Sequence, residues 1–386
     1  MERKIKVLHI TPDEKFFDGV FSRWENDENF SNKALFYTCC KNYQLKHIKR
    51  TNVLEIYYKF NDISDRLQKD DYDAVFVHSM PFTIYKIISI IPENKIVIWW
   101  GWGFDIYNRA AGLPPIVKTN LYKDKTQQFV NKNKYSPGLL LYNFRHFFKR
   151  KKVSRYQAEA IRRIDYYQPV IKLEMDLMRQ NVLFRAKEFY YKDTVSLIEP
   201  MFPHPANGDI ILGNSATETN NHLDVLDYVQ KYKMKDQKII MPLSYGNEKY
   251  RSWLKPHLIS SDIHPIYDFM PRDDYFSIVN KCSYAIYGVI RQQAMGNIFY
   301  AVSHGIKVFL YKDSLVYQNM KNLGYVVFAI EDMTEDSFKT PLTIEQIEQN
   351  NRAILAEYNR RLAVYNECLK EMREKIQIKS HEGIDI

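Results

Sequence analysis

The sequence is poor in cysteine and has no long apolar run. Its four cysteines, two of them adjacent at Cys39 and Cys40, are too few in a chain this long for a disulfide framework and lack C-x-x-C spacing. The longest apolar segments, IYKIISII and KIVIWW, fall short of the roughly 20 residues that a membrane-spanning helix needs. The first residues, MERKIKVLHITPDE, lack the sustained apolar region of a signal peptide. We therefore expect a reduced, cytoplasmic protein that does not cross a membrane.

Signatures of several other protein classes are also missing. The sequence contains no internal repeat at solenoid spacing and no low-complexity tract. No H-x-x-x-H or D-x-D spacing stands at the predicted strand ends described below, so no metal site is expected there. No recognised RNA- or DNA-binding motif accompanies the basic residues. The expectation is a chain without a metal or other cofactor and without a nucleic-acid partner.

The composition is that of a folded globular protein with a surplus of positive charge. Apolar residues make up 45% and charged residues 26% of the chain, as in ordinary folded domains. Its 386 residues exceed the usual size of one hydrophobic core, so two domains are expected. The net charge of +9 favours an anionic partner, which would be nucleic acid, an acidic membrane surface or a phosphorylated ligand.

Short apolar segments alternate with helical segments in both halves of the chain. KIKVLHI, ALFYTCC, DYDAVFV and KIVIWW read as strands in the first half, and DIILGNS, KIIMP, CSYAIYG and IKVFLY in the second. This alternation predicts parallel sheets with helices on both faces. The proline-rich segment EPMFPHPANGD separates the two series. We predict an α/β chain with two doubly wound, Rossmann-like domains over residues 1–198 and 199–343, facing each other, and a helical tail over 344–386.

The alternation stops between Tyr107 and Gln157, where the chain is polar, aromatic and basic. The segment RHFFKRKKVSRY concentrates cations beside phenylalanines, which predicts a basic amphipathic helix able to lie on an anionic bilayer surface. Each cation near such a surface contributes about 1 kcal/mol to binding. A solvated helix face is the alternative interpretation. The predicted membrane-facing residues are Arg145, Lys149, Arg150, Lys151 and Lys152.

Polar residues interrupt the apolar pattern where predicted strands of the second half end. In YGVIRQQAMGN, Arg291 and two glutamines directly follow a buried strand and precede a helix. Another such turn, GNSATETNNH, begins at Gly213, which allows a close backbone approach to a phosphate. Arginine holds phosphate oxygens bidentately, and helix N-termini bind anions through free N–H groups. Because ligands of doubly wound sheets bind beyond the carboxyl ends of the strands, these turns predict a nucleotide-diphosphate site.

Carboxylates and one histidine occupy the corresponding positions in the first half. Asp13, Asp18 and Asp105 lie in predicted loops, and His78 follows the strand DAVFV directly. A general base for a hydroxyl acceptor must lie within hydrogen-bond reach of that hydroxyl and have a pKa suited to the working pH. Helix capping by Asp13 or Asp105, and a structural role for His78, are the alternatives. The residues alone leave Asp13, Asp105 and His78 open as the base.

These turns, in this order, resemble a known family of bacterial transferases. The family comprises the TDP-N-acetylfucosamine:lipid II N-acetylfucosaminyltransferases of enterobacterial common antigen synthesis, which are 4-alpha-L-fucosyltransferase-like, and their polysaccharide-cluster relatives. The matching stretches run from residue 5 to about residue 330 and are LHITPDEKFFD, FVHS, WWGWGFDIY, ILGNSATETNNH, MPLSYGN and IRQQAMGN. The resemblance implies a GT-B glycosyltransferase, with two Rossmann-like domains around a cleft, inversion at the anomeric carbon and no essential metal.

The resemblance also implies where the substrates bind. The C-terminal domain would hold a TDP- or UDP-linked sugar, with a deoxy-acetamido sugar as one candidate, and the N-terminal domain would face a polyprenyl-diphosphate-linked glycan. Such a protein would work in surface polysaccharide synthesis, peripherally on the inner face of the plasma membrane. The matching donor-side positions are Gly213, Asn214, Ser215, Tyr245, Gly246, Arg291, Gln292, Gln293 and Gly296. The matching acceptor-side positions are Asp13, Lys15, Asp18, His78, Gly103, Asp105 and Tyr107.

The expected reaction joins these two sets of residues. A base of the first domain takes the proton of an acceptor hydroxyl, whose oxygen displaces the nucleoside diphosphate, and Arg291 stabilises the charge on the leaving group. A hydrolysing nucleotide-sugar epimerase of the same architecture is the alternative enzyme. A basic protein that binds nucleic acid through the cationic segment is a less favoured alternative.

Overall fold

A computed structural model describes residues 3–14, 17–38, 40–107, 115–134, 147–191, 204–205 and 207–382. The chain divides into two compact units. The first comprises Met1–Lys118, Tyr142–Thr194 and Asn359–Ile386, and the second comprises Thr119–Leu141 and Val195–Tyr358.

The first unit is built on a seven-stranded sheet in which all paired neighbours are parallel. Its strands are β1 (Ile5–Thr11), β2 (Phe30–Tyr37), β3 (Leu54–Tyr57), β4 (Ala74–Val77), β5 (Ile96–Trp100), β6 (Tyr166–Gln168) and β7 (Lys187–Glu188). Their order in the sheet is β3-β2-β1-β4-β5-β6-β7. The chain winds outward from β1 to β3 and then crosses back to β4, so the topological switch point, where doubly wound sheets bind ligands, lies between β1 and β4.

The second unit repeats this topology with six parallel strands. They are β8 (Asp209–Leu212), β9 (Ile239–Pro242), β10 (Ile263–Ile266), β11 (Cys282–Tyr287), β12 (Lys307–Leu310) and β13 (Phe328–Ala329). The sheet order is β10-β9-β8-β11-β12-β13, which places the switch point between β8 and β11. All six residues of β11 are buried, as expected for a central strand covered on both faces.

Helices follow most of the strands. In chain order they are α1 (Phe17–Glu25), α2 (Phe60–Lys69), α3 (Phe82–Ile88), α4 (Gly103–Tyr107), α5 (Asp124–Lys134), α6 (Phe147–Arg163), α7 (Leu173–Arg179), α8 (His222–Tyr232), α9 (Glu248–Leu254), α10 (Arg272–Val279), α11 (Met295–Ser303), α12 (Leu315–Asn322) and α13 (Ile344–Glu382). Short 3₁₀ turns occur at Thr51–Val53, Glu218–Asn220, Lys255–His257, Ile330–Asp332 and Glu335–Phe338. The alternation confirms the two doubly wound parallel sheets predicted from the sequence.

The division of the chain differs from the predicted boundaries in one segment of the first half. Thr119–Leu141 belongs to the second unit, although the sequence analysis places it within the first domain. The reason is the apolar side of α5. Phe129 is buried in the core of the second unit, with its ring 5.3 Å from that of Tyr250 and 4.8 Å from that of Trp253.

The predicted helical tail is not a separate domain. It is one 39-residue helix, α13, whose residues from Asn359 onward belong to the first unit. Residues spaced three or four apart place one face in the core beneath β1, where Tyr365, Leu369 and Met372 are buried. The Tyr365 hydroxyl also donates a hydrogen bond to the buried Asp27 carboxylate at 2.8 Å. The last part of the chain therefore completes the core of the unit that the first part begins.

Candidate functional site

The loops that follow β8 and β11 come together at the switch point of the second sheet. The backbone N–H of Gly213 donates to the carbonyl of Ile286 at 2.9 Å. Gly213 has a φ of 71°, and a Cβ added there would lie 2.7 Å from His222 Nε2. A Cβ on Gly288 would lie 2.4 Å from the carbonyl oxygen of Asn220. Glycine is therefore required at both strand ends for the two loops to approach each other.

The polar side chains of the β11 loop are held against the β8 loop. Gln293 Nε2 donates to Thr217 Oγ1 at 3.1 Å, and the Thr219 hydroxyl donates to Gln293 Oε1. The Arg291 guanidinium is partly buried and donates through Nη1 to the carbonyl of Gln292, which is itself buried, at 2.7 Å. The structure thus brings Gln293 to the β8 turn predicted for the same site, and Arg291 and Gln292 precede it in the same loop.

A third loop, after β9, joins this edge of the sheet. Gly246 forms a parallel bridge with Ala216, and the backbone N–H of Ala216 donates to the carbonyl of Tyr245 at 2.7 Å. Asn214 Nδ2 donates to the Tyr245 hydroxyl at 3.1 Å. Gly246 has a φ of 127°, and a Cβ there would lie 2.4 Å from the Ala216 carbonyl oxygen. The phenol of Tyr245 is 43% exposed, so it is accessible to a ligand beside Asn214.

Ser215, in contrast, lies inside the β8 turn. It is buried, its hydroxyl is 3.0 Å from Thr217 Oγ1, and its carbonyl accepts from Asn220 Nδ2 at 3.0 Å. The same Asn220 amide donates to Thr217 Oγ1 at 2.9 Å. Ser215 therefore shapes the turn through these contacts.

The start of α11 follows Arg291 in the same loop, and no side chain of the described residues caps it. Ala294, which precedes the helix, has a φ of 58°, a left-handed conformation that costs a non-glycine residue about 1 kcal/mol or more. Gly296 is exposed in the first helical turn, and no atom lies within 4 Å of a Cβ added there. Helix N-termini attract anions, so this end of α11 is open to a phosphate group.

Tyr122 lies beside the β8 loop, a placement that the sequence pattern does not predict. The residues on its two sides are bound to Asn221. The backbone N–H of Lys123 donates to Asn221 Oδ1 at 2.8 Å, and Asn221 Nδ2 donates to the carbonyl of Leu121 at 3.2 Å. Burial raises the pKa of the Tyr122 phenol, the Glu218 carboxylate raises that pKa further, and the Arg291 guanidinium lowers it. The phenol therefore lies in the electric field of both charged groups. No local sequence pattern indicated this placement of Thr119–Leu141.

In the first unit, two histidines form a buried pair at the ends of β1 and β4. His9 Nδ1 lies 3.0 Å from His78 Nε2, and His9 Nε2 lies 3.0 Å from Asn32 Oδ1. Burial lowers the pKa of His9 to about 4, and burial together with the neighbouring His9 lowers the pKa of His78 well below 6.5. Both imidazoles are therefore neutral near pH 7. His78 is among the residues predicted from the sequence, whereas His9 is not.

Asp105 lies in the first turn of α4 and not in the predicted loop. It is buried, and its carboxylate accepts hydrogen bonds from the backbone N–H of Met80 at 2.8 Å, the backbone N–H of Trp102 at 2.7 Å and Trp99 Nε1 at 3.2 Å. Burial raises the pKa of Asp105 to about 7 in spite of these three donors. Both oxygens are engaged in joining the loops after β4 and β5. This arrangement matches the capping alternative.

The remaining carboxylates differ in their surroundings, and Asp18 lies in the first turn of α1 and not in the predicted loop. Asp13 is exposed, whereas Lys15 lies outside the described residues. Asp18 Oδ2 accepts a hydrogen bond from the backbone N–H of Lys49, in the segment 43–49, at 2.8 Å. Glu14, which the sequence analysis did not select, is buried and accepts three backbone N–H groups and a tyrosine hydroxyl of that segment. Although burial raises the pKa of Glu14, these hydrogen bonds lower it to below its usual range. Asp18 and Glu14 therefore anchor the segment 43–49.

Gly103 and Tyr107, predicted on the acceptor side, lie at the two ends of α4 and are both buried. The Tyr107 hydroxyl donates to Glu174 Oε1 at 2.9 Å, and Glu174 Oε2 accepts the backbone N–H of Val170 at 3.1 Å. These contacts tie α4 to α7. Both residues thus belong to the framework that supports the loop after β5.

The basic segment forms α6, as its pattern predicts. The side chains of Lys151 and Lys152 are exposed, whereas Gln157 lies on the inner side and donates to the Tyr85 hydroxyl at 3.2 Å. The predicted cations whose side chains lie outside the described part of the chain are Arg145, Lys149 and Arg150. Within that described part, no helix is long and apolar enough to cross a membrane, and no group of three or more His, Cys, Asp or Glu side chains is placed to hold a metal ion.

Solved structures with this architecture include sugar-transferring enzymes. A lipopolysaccharide outer core galactosyltransferase in its apo form aligns over 97% of this chain and 100% of its own, with a TM-score of 0.53 and 11% identity. The α,α-trehalose 6-phosphate synthase of Burkholderia multivorans aligns over 100% of this chain and 99% of its own, with a TM-score of 0.57 and 7% identity. The trehalose-6-phosphate protein of E. coli bound with UDP-2-fluoro glucose aligns over 95% and 99%, with a TM-score of 0.56 and 9% identity. The two doubly wound units thus have the GT-B fold of glycosyltransferases.

The family follows from the sequence match. The model of the 4-alpha-L-fucosyltransferase family, glycosyl transferase group 56, matches residues 134–373, which is more than half of the chain, and the protein belongs to this family. It is therefore a glycosyltransferase that uses a nucleotide-sugar donor and an acceptor, and the predicted resemblance is confirmed.

Proposed function

We propose that the protein is an inverting, metal-independent transferase that moves a sugar from a TDP- or UDP-linked donor to a polyprenyl-diphosphate-linked glycan in surface polysaccharide synthesis. A deoxy-acetamido sugar is the candidate that the family resemblance favours. The observation that carries the proposal is the hydrogen bond from Gln293 to Thr217, which holds the loop that contains Arg291 against the β8 turn at the switch point of the second sheet.

The donor diphosphate would bind at this edge of the second unit. Its two phosphates carry negative charge that increases when the bond to the sugar breaks, and a permanently charged guanidinium stabilises that charge. The open first turn of α11 adds backbone N–H donors. Tyr245 and Tyr122 lie beside the same loops and would contact the nucleoside or the sugar. Arg291 and these amides would thus take the part that a metal ion plays in other transferases.

The acceptor hydroxyl would be activated by His78 of the first unit. In this step, His78 Nδ1 takes the hydroxyl proton, and the acceptor oxygen forms a bond to the anomeric carbon from the face opposite the diphosphate. The bond between that carbon and the diphosphate breaks, and its electron pair leaves with the nucleoside diphosphate. His78 is favoured over Asp105 because the Asp105 carboxylate is engaged by three structural donors. Asp13 is the competing base, since it is exposed in the adjacent β1 loop.

A thermal-shift panel of UDP, TDP, GDP and CMP tests the donor assignment. We expect UDP or TDP to raise the unfolding temperature, because a ligand at about one hundred times its Kd stabilises the folded state by about 2.7 kcal/mol. The Arg291→Ala variant should lose this shift, whereas Arg272→Ala, at an exposed position of α10, should keep it. Equal shifts in both variants would refute the assignment. Conversion of the sugar nucleotide without any acceptor would instead favour the epimerase.

The membrane proposal concerns the exposed cations of α6. A lipid-linked acceptor requires the enzyme to work at a bilayer surface, and we propose that α6 rests on the anionic inner face of the plasma membrane. Lys151→Glu combined with Lys152→Glu should weaken sedimentation with phosphatidylserine-containing vesicles at least tenfold, since each lysine contributes about 1 kcal/mol. The control pair is Lys41→Glu with Lys69→Glu, two exposed lysines elsewhere. Equal losses in both pairs would show only a net-charge effect and contradict the proposal.

A further inference from the structure

We propose, on the basis of the role proposed above for His78, that His9 and Asn32 are positioning residues that fix the tautomer of the catalytic histidine. The three side chains form a continuous hydrogen-bonded line from β2 through β1 to the end of β4. These hydrogen bonds keep the proton of His78 on Nε2, so that Nδ1, the atom that takes the acceptor proton, is unprotonated.

The direction of each hydrogen bond follows from the amide at the far end. Asn32 Nδ2 donates to the carbonyl oxygen of Trp24 at 2.8 Å. Because that carbonyl can only accept, the amide nitrogen faces Trp24 and Oδ1 faces His9. Asn32 Oδ1 can only accept as well, so His9 Nε2, 3.0 Å away, carries the proton of the first imidazole.

The position of the proton on His78 then follows from that on His9. His9 is neutral, so with its proton on Nε2 it presents a lone pair at Nδ1. His78 Nε2, 3.0 Å from that atom, must donate, which places the single proton of neutral His78 on Nε2. His78 Nδ1 is left as an unprotonated nitrogen. The arrangement has the logic of catalytic triads, in which a third group orients the base.

The surroundings of His9 hold this line in place. His9 is fully buried, and its ring makes edge contacts with Phe21 and Trp24, each at a centroid distance of 5.1 Å. Phe76 packs against it at 5.4 Å and against His78 at 5.0 Å. These rings pack around the His9 imidazole and hold it in place between Asn32 and His78. When His78 gains a proton at Nδ1, its Nε2–H bond to His9 becomes charge-assisted and strengthens.

The direct test is the protonation pattern of the His78 ring. Long-range ¹H–¹⁵N correlation spectra of the full chain, with ¹⁵N-labelled histidine, should show His78 Nδ1 unprotonated and Nε2 protonated at pH 7. The signals are assigned by their loss in His78→Gln. Asn32→Leu, which removes the acceptor for His9 Nε2–H, should produce a mixture of tautomers at both rings. A wild-type spectrum with the proton on His78 Nδ1 would overturn the proposal without any activity measurement.

Kinetics provide the second readout, with whichever TDP- or UDP-linked donor the wild-type enzyme turns over. His9→Leu should lower kcat about tenfold to a hundredfold with little change in the donor KM, because outer partners that orient a histidine have effects of this size. His9→Asn, whose amide oxygen can accept from His78, should recover most of that loss. Wild-type kcat in a folded His9→Leu variant would contradict the positioning role. If His78→Gln itself kept full turnover, the proposed base would be wrong instead, which separates the two failures.

Discussion

Replacement of Arg291 by alanine is expected to lower kcat at least about a hundredfold while the protein remains folded. A preorganised donor that meets charge developing on a leaving group typically contributes this much to a reaction rate. Arg291 lies in the loop after β11, partly buried, with Nη1 anchored to the carbonyl of Gln292 at 2.7 Å. That anchor orients the guanidinium before the donor binds. Initial rates of nucleoside diphosphate release measure the effect.

Two further variants show whether the geometry of the charge matters. Arg291→Lys should retain only a part of the activity, because an ammonium group cannot hold two phosphate oxygens as a planar fork does. Arg272→Ala removes a cation from the exposed surface of α10 and should leave kcat unchanged. If Arg291→Ala turned over at near the wild-type rate, the leaving group would be stabilised by some other group, and the mechanism proposed for the second unit would be wrong.

Replacement of Met372 by alanine is expected to lower the free energy of unfolding of the first unit by about 2–5 kcal/mol, the usual range for large-to-small changes in a core. Met372 is fully buried in the cluster that includes Ile5 and Val7 of β1. Because whole domains are stable by only about 5–15 kcal/mol, this is a large fraction of the total. Urea unfolding followed by tryptophan fluorescence measures it, since four of the five tryptophans lie in the first unit.

The matched control is Gln377→Ala, an exposed position on the same helix, which should change the unfolding free energy by less than about 0.5 kcal/mol. The nucleotide-induced thermal shift, which reports the second unit, should survive in Met372→Ala. A loss below about 1 kcal/mol would mean that the end of α13 is not needed for the core of the first unit, contrary to its burial there.

The strands that form both switch points could be predicted from the sequence, and for a physical reason. Strands covered on both faces read as continuous apolar runs, and this pattern located β1, β4, β8 and β11 and the polar turns after them. In contrast, β3 and β10 were not predicted, since they are partly exposed edge strands with no such run. The convergence of the β8 and β11 loops followed from topology alone, because parallel strands that neighbour each other end at the same edge.

Other parts of the site depend on contacts between distant residues. His9 and His78 are 69 positions apart, and nothing around His9 marks it as different from any other residue of a buried strand. Tyr122 lies in a polar segment without periodicity, and its place at the second sheet is set by Asn221. The structural role of Asp105 likewise depends on donors from Met80 and Trp99 that the local sequence does not reveal. Such interactions require the tertiary fold before they can be recognised.

The discontinuity of the first unit has a consequence for how the polypeptide matures during synthesis. Domains generally fold as units while the ribosome is still at work, but this unit cannot fill its hydrophobic interior until Tyr365, Leu369 and Met372 have been translated. The second unit, which ends at Tyr358, can finish first. The strands that are translated first therefore depend on residues translated last to close their core.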